Sequence, residues 1–390
     1  MIDYSSLLSP TLSGIAPSGI RKFFDLLENM NDVTALTVGQ PDFVTPWHIR
    51  EAGIQSLEGG KTYYTSNSGT FELRRAISDY LVRRFNMPRY NPYNEVIVTV
   101  GGSEAIDMAM RAVLTPGDEV IIPNPAFVCY EPLAKMTGAT PVILETRVED
   151  NFKLTPEALK KVITPRTKML VLPFPNNPTG AIMTEAELRE IADIIRDTNI
   201  FVLSDEIYAE LTYGRRHTSI ASIEGMYERT ILVSGFSKAY AMTGWRLGYL
   251  CAPEPIAKQI LKLHQYAIMC APTVSQFAAI EAMDNGDDDV QMMVEEYDRR
   301  RKYIHNGLNT IGIPTFEPEG AFYIWPDMRS FGLSSEEFCN RLLYEHKCAI
   351  VPGNAFGECG EGFARISYAY SVKHITKALE KIEAFVKTLK

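Results

Sequence analysis

Residues 230–249 read TILVSGFSKAYAMTGWRLGY: a short apolar run, a turn of small residues around a lysine, then an arginine and a second apolar run. Residues 230–233 have strand composition, and Ser234, Gly235 and Ser237 follow them. Lys238 is therefore expected just past a strand end, where open α/β sheets place their ligands. A lysine in such a loop is ordinarily a solvated charge. Three features of its surroundings argue for more. The small residues let the backbone approach an anion, and Arg246, eight residues on, has the planar fork that suits a phosphate. Trp245 and Tyr240 are expected to wall off water from an amine that must be neutral to attack an aldehyde.

The same strand-then-turn grammar extends outward. Further strands are expected at 95–100, 119–123, 168–172, 200–204 and 246–251. Between two of them lies TEAELREIADIIRD, where Thr184 and Glu187 have capping-box spacing and Leu188, Ile191, Ala192 and Ile195 recur at helical intervals. Strands alternating with such helices imply an α/β fold with a mostly parallel sheet covered on both faces. After residue 285 the pattern changes to a long charged helix over 289–311, strands at 321–325 and 363–368, and a helix over 374–389. The last places Ile375, Ala378, Leu379, Ile382, Phe385 and Val386 on one face. The run Asp287-Asp288-Asp289 reads as a solvated helix start. The expected organisation is a large α/β domain over 45–285, a smaller α+β domain over 286–390, and an N-terminal arm over 1–44 that packs with the smaller domain.

A chain of 390 residues is too long for one core of ordinary size. Its 46% apolar and 22% charged residues fit a folded globular protein. The net charge of −9 argues against a general binder of nucleic acid or anionic membranes, while leaving room for a local basic pocket. No basic-then-apolar start and no apolar run of about 20 residues is present, so neither a signal peptide nor a membrane span is expected, and the chain reads as cytoplasmic. The six cysteines form no CxxC pair and read as reduced thiols. His346 and Cys348 make no recognisable metal set and HExxH is absent, so the histidines read as structural and no metal is expected.

Three more segments carry chemistry. PFPNNPTG (173–180) marks a tight turn after a strand; it is either a polar loop or the place from which Asn177 donates to a phenolate oxygen on a bound ring. In VLSDEIY (202–208), Asp205 ends an apolar strand and needs a partner there, either a protonated pyridine nitrogen or a structural arginine. In TVGGSEAIDMAM (99–110) a strand runs through Gly101-Gly102-Ser103 into a helix, which leaves free N–H groups for an anion. The turn is not GxGxxG, and no GxxxxGK[ST] occurs, so nicotinamide and ATP readings lack support. GFSKA (235–239) superficially matches the hydrolase elbow GxSxG, but it lacks the final glycine and leaves Arg246 unexplained.

Taken in order, NNPTG, DEIY, the SGFSK lysine, the arginine eight residues on, and FARISYA (363–369) resemble the class I/II aminotransferases, pyridoxal 5′-phosphate enzymes of fold type I. The chain is most similar to the branch of aspartate and aromatic aminotransferases from bacteria and archaea, from LTVGQPDFVTP (36–46) to FARISYAY (363–370). The resemblance implies that Lys238 holds the cofactor as a Schiff base and shuttles the proton in turnover. It implies that Asp205 pairs with the pyridine nitrogen, Asn177 and Tyr208 bond the 3-oxygen, and Gly102, Ser103 and Arg246 hold the phosphate. Phe127 would stack on the ring where relatives often carry tryptophan or tyrosine. Arg365, with the backbone of Gly39 beside it, would grip the substrate α-carboxylate. Tyr64 would reach the phosphate in a neighbouring subunit, which implies a homodimer with shared sites.

Two positions depart from the pattern. Gly235 stands where some relatives carry a phosphate-contacting serine, leaving Ser234 or Ser237 to substitute. Ser103 stands where some aspartate-selective relatives carry lysine. The expected activity is therefore amino-group transfer from an aromatic or broadly neutral amino acid to a 2-oxo acid such as 2-oxoglutarate, by a pyridoxal/pyridoxamine phosphate ping-pong cycle. The rival within enzymes is a carbon–sulfur β-lyase, which shares every cofactor residue. A ligand-sensing regulator is the rival outside them, but only 38 residues precede Gly39 and they hold no basic helix-turn-helix pattern.

Overall fold

Short runs rich in Val, Ile and Leu, bounded by Gly, Pro and Asn, form strands buried on both faces, as a helix-covered parallel sheet requires. The computed structural model describes residues 2, 4, 7–20 and 30–389. Among them are β1 (Thr34–Ala35), β2 (Val96–Thr99), β3 (Glu119–Asn124), β4 (Thr140–Glu145), β5 (Thr167–Leu172) and β6 (Phe201–Asp205). There follow β7 (Thr230–Gly235), β8 (Gly248–Cys251), β9 (Tyr323–Ile324), β10 (Cys348–Ala349), β11 (Val351–Pro352) and β12 (Ala364–Ser367).

Seven of these make one sheet in the order β2-β8-β7-β6-β5-β3-β4. Strands β3 to β7 run parallel to one another, and β8 runs antiparallel to both β2 and β7. Because β8 reverses direction, β2 points the same way as β7. The carboxyl ends of β2, β5, β6 and β7 therefore arrive at one edge. Gly248, the first residue of β8, sits at that edge opposite both Thr99 and Gly235.

The strand expected at 246–251 begins two residues later, at Gly248, because Arg246 adopts the left-handed conformation (φ 51°) and cannot extend a strand. Strand β4 was not expected. It is an edge strand, largely exposed and carrying Pro141, so it lacks the continuous apolar run of its buried neighbours.

The helix Glu185–Ile195 starts as its sequence dictates: Thr184 and Glu187 form a reciprocal capping box, and Leu188, Ile191, Ala192 and Ile195 are buried. The long helix Asp287–Thr310 begins at the acidic run, but that start is not merely solvated. It lies against helices Trp47–Glu58 and Phe71–Phe85, so Asp287 pairs with Arg83 at 3.0 Å and Asp289 with His48 at 2.9 Å.

A second core forms where helices Ser335–His346 and Val372–Leu389 bring Phe338, Leu342, Ile375, Ile382 and Phe385 against Tyr323, Ile324 and Ile366. Leu36 joins it, and β1 pairs in parallel with β10. A small sheet, β11-β12-β9, faces the open edge of the large one. No helix among the described residues is long and apolar enough to cross a membrane.

Thr184→Ala removes one half of the capping box and should cost about 1 kcal/mol. The readout is a lower urea midpoint at unchanged slope; an unmoved midpoint would show that the cap adds nothing to stability.

Candidate active site

The shared strand edge opens into a cavity of about 360 Å³. Eleven of the twelve sequence-predicted site residues line it: Gly39, Gly102, Ser103, Phe127, Asn177, Asp205, Tyr208, Ser237, Lys238, Arg246 and Arg365. Tyr64 does not. It is 78% exposed in the single chain.

Lys238 leaves β7 and turns its amine across the cavity to the carbonyl of Gly39, donating at 2.6 Å. Burial, with the Arg365 and Arg246 cations nearby, lowers its pKa to about 8. An amine so placed is neutral near physiological pH far more often than an ordinary lysine. The expected screen of Trp245 and Tyr240 is not what shields it. Tyr240 is buried in the core with its hydroxyl toward the Met283 sulfur, and Trp245 packs on the Trp47–Glu58 helix and donates to Thr45 Oγ1. The rings of Tyr208 and Phe322 do the screening, each centred 5.8 Å from the amine.

Asp205 is the last residue of β6 and is buried. Its Oδ1 accepts from the Ile207 amide and its Oδ2 accepts from the Tyr130 hydroxyl at 2.6 Å. Burial still raises its pKa above the ordinary carboxylate value.

At the other end of the cavity the strand–helix turn after β2 presents an anion site. Gly101 (φ 80°) caps helix Gly102–Val113, and a Cβ on it would lie 2.6 Å from Arg246 Nη2. Only a bare turn lets the guanidinium come so close to the helix N-terminus. Arg246 holds its left-handed backbone, a conformation costing about 1–2 kcal/mol, while donating to the Thr243 carbonyl at 3.0 Å. Gly235 has a spatial reason to be glycine: an added Cβ would meet Gly248 Cα at 3.0 Å and the Leu247 carbonyl at 3.2 Å. Of the two serines offered in its place, Ser237 lines the cavity and Ser234 donates instead to the Glu206 carbonyl.

Arg365 on β12 is buried, with Nη2 donating to the Thr37 carbonyl at 2.7 Å and Nη1 to Asn177 Oδ1 at 3.0 Å. Its Nε is buried without a partner among the described residues, a donor on a cation that suits an anionic acceptor. Asn177 spends its carbonyl on Arg365, whereas Asn176 shapes the loop by accepting from Thr179.

Sequence reasoning missed Tyr323 and Tyr130. Tyr323 on β9 lies beneath Arg365, ring centroid to Cζ 4.6 Å, and its hydroxyl meets that of Tyr208 at 2.7 Å. A Cβ on Gly39 would strike the Tyr323 hydroxyl at 2.3 Å, so that loop and that tyrosine fit only together. Nothing local marks either tyrosine in the sequence.

A lysine of lowered pKa, a buried carboxylate, an anion-binding turn and an orphaned guanidinium now share one cavity. The family model for aminotransferase class I and II matches residues 31–382. The chain belongs to the class I and II aminotransferases. It is 46% identical to the probable N-acetyl-LL-diaminopimelate aminotransferase of Bacillus subtilis, over 97% of this chain and 96% of that one. With the aspartate aminotransferase of Pyrococcus abyssi the identity is 43%, over 98% and 99% respectively. The solved structure of an aromatic aminotransferase from Pyrococcus horikoshii matches with a TM-score of 0.90 at 43% identity, covering 94% of this chain and 100% of that one. The cofactor of this aminotransferase is pyridoxal 5′-phosphate, and it moves an amino group between an amino acid and a 2-oxo acid.

Two measurements test the geometry. The rate at which apoenzyme captures pyridoxal phosphate should climb with pH through about 8 and then level off as the Lys238 amine becomes neutral. A climb continuing beyond pH 10 would mean that the amine is not shielded. Gly235→Ser should weaken the fold by about 1–3 kcal/mol through overpacking, lowering Tm, rather than improve phosphate binding.

Proposed function

We propose that this aminotransferase takes its amino group from an aromatic or broadly neutral L-amino acid and passes it to a 2-oxo acid such as 2-oxoglutarate, in a ping-pong cycle at one site. The observation that carries this reading is the charge inventory of the cavity. Among the described residues its cations are Lys238, Arg246 and Arg365. Each would be taken by the cofactor or by the α-carboxylate, so within the single chain no cation is dedicated to a side-chain carboxylate, which favours neutral donors without barring an acidic acceptor. Phe127, Tyr208 and Tyr323 supply aromatic wall instead. The distal carboxylate of 2-oxoglutarate then falls to neutral donors such as Gln40 and Ser103, or to a second subunit.

The residues fit the cofactor. Arg246, the N–H groups of Gly102 and Ser103, and the Ser237 hydroxyl would hold the phosphate. Asp205 would pair with the ring nitrogen, Asn177 and Tyr208 would bond the 3-oxygen, and Phe127 would cover a face of the ring. When bound, pyridoxal phosphate supplies a conjugated ring into which negative charge developing at the amino acid Cα can spread. Arg365 fixes the α-carboxylate through its free Nε edge, with the Gly39 loop beside it, and so orients Cα toward Lys238. Lys238 would take the proton from Cα and return it at the adjacent carbon of the bound cofactor, a task for which an amine of pKa about 8 is suited. Tyr208 and Phe322 keep water from that amine.

The active unit in this reading is a homodimer in the cytoplasm. Exposed Tyr63, Tyr64, Tyr266 and Met269 lie on segments tied together by Asn67 donating to the Met269 carbonyl and Thr273 to the Tyr63 carbonyl. A second copy would cover them and bring Tyr64 to the neighbouring phosphate. Residues 45–285 would form the cofactor-binding domain and 286–390 a smaller one joined by the N-terminal arm, a division supported by a core drawn mostly from residues beyond 285 and by the β1–β10 pairing, although Tyr208, Leu211 and Tyr213 also enter that core.

Amino acid supplied alone should yield about one equivalent of 2-oxo acid per site, highest for phenylalanine, tyrosine and neutral donors. Marked selectivity for aspartate or N-acetyl-LL-diaminopimelate would overturn the side-chain assignment, and many turnovers with ammonia release would indicate a lyase. Lys238→Ala should retain pyridoxal phosphate through Arg246 and Asp205 yet lose activity by a factor on the order of 10³. Near-full activity in that variant would overturn the mechanism.

A further inference from the structure

Tyr130 has a place in the cavity and no part in the scheme above. It opens helix Tyr130–Met136, is buried, and points its phenol at Asp205 Oδ2 across 2.6 Å. Burial and the neighbouring Asp205 charge hold the phenol pKa well above 10, so at physiological pH it is a donor only toward that carboxylate. A hydrogen bond of this length to a carboxylate is charge-assisted and constrains orientation as well as charge.

The groups facing Asp205 pull in opposite directions. Burial and the adjacent Glu206 favour its protonated form, whereas Tyr130, the Ile207 amide and the Lys238 cation favour the anion; Cys129 and Tyr208 are held neutral beside it. When that amine is bonded to the cofactor it would no longer be a free ammonium. Tyr130 and the Ile207 amide are hydrogen-bonded to the carboxylate itself, and they favour its charged form in either state. The Ile207 amide is the longer contact, at 3.2 Å. A proton shared between a carboxylate and a pyridine nitrogen resides on the more basic of the two. A donor to the carboxylate makes it less basic and moves the proton to the ring.

We propose that Tyr130 is a positioning residue for the transamination: its phenol fixes Asp205 and biases the proton shared with the cofactor's ring nitrogen toward the ring. This rests on the assignment of Asp205 to that nitrogen. Tyr130→Phe removes only the hydroxyl. One charge-assisted bond changes such an equilibrium about tenfold or more.

The test compares the binding of two ligands to apoenzyme, pyridoxal 5′-phosphate and its carbocyclic analogue in which C–H replaces the ring nitrogen. For Tyr130→Phe, the half-saturation concentration for pyridoxal phosphate should rise about tenfold at neutral pH, while that for the analogue stays at the wild-type value. The acid limb of pyridoxal phosphate affinity should also move to higher pH, because a more basic Asp205 loses its charge earlier as pH falls. Equal loss for both ligands would reduce Tyr130 to a structural role and overturn the proposal, as would no change for either. Asp205→Ala, measured in parallel, separates the two assignments. If it discriminates between the ligands and Tyr130→Phe does not, only the role of Tyr130 falls; if it does not discriminate, the assignment of Asp205 falls with it.

Discussion

The cavity at the sheet edge carries an excess of two positive charges: Lys238, Arg246 and Arg365 face one carboxylate, Asp205. Cations gathered in one cavity repel one another, and the buried Arg365 in particular is costly without an acceptor to meet it. The protein answers in three ways. It lets the Lys238 amine deprotonate near pH 8, it satisfies Arg365 partly with the Thr37 carbonyl and Asn177, and it leaves a helix N-terminus beside Arg246. What remains unmet is the charge of a phosphate and of a carboxylate. In the proposed reading the cofactor phosphate and the substrate carboxylate would supply those anions.

That arrangement depends on the direction of a single strand. With β8 reversed between β2 and β7, the glycine turn after β2, the lysine loop after β7 and the Asp205 end of β6 reach the same edge. Glycines then set how closely they approach. A Cβ on Gly248 would lie 2.7 Å from the Gly101 carbonyl carbon, so β8 can press against the turn only without a side chain. Arg246 follows the same logic from the other side, taking a left-handed backbone to enter β8 while its guanidinium reaches the turn.

Much of this was legible in the sequence because it is local. Lys238, Arg246, Asn177, Asp205 and Gly102 each sit within a few residues of a strand end, and strand ends are visible as apolar runs that stop at small or polar residues. Strand β4 was not, since an exposed edge strand with a proline lacks the run. The screening of Lys238 was assigned to Trp245 and Tyr240 because they are near in sequence. The rings that reach it include Phe322, brought from beyond residue 285 by β9 packing. Tyr130 and Tyr323 meet their partners across 75 and 115 residues, and no spacing rule spans such distances.

The division between chemistry and selectivity follows from the same accounting. A probable N-acetyl-LL-diaminopimelate aminotransferase, an aspartate aminotransferase and an aromatic aminotransferase lie at 46%, 43% and 43% identity to this chain, so overall similarity does not choose among their donors. The groups that activate the amino acid act on atoms every α-amino acid has: the carboxylate, the nitrogen and Cα. Those groups are also the most tightly interlocked, since Arg365, Asn177, Tyr323, Tyr208 and the Gly39 loop constrain one another through hydrogen bonds and contacts a methyl group would break. Gln40 and Ser103 line the same cavity outside those contacts, and in the proposed reading side-chain selection falls there. One interlocked centre can therefore serve several donors by substitution at its margin.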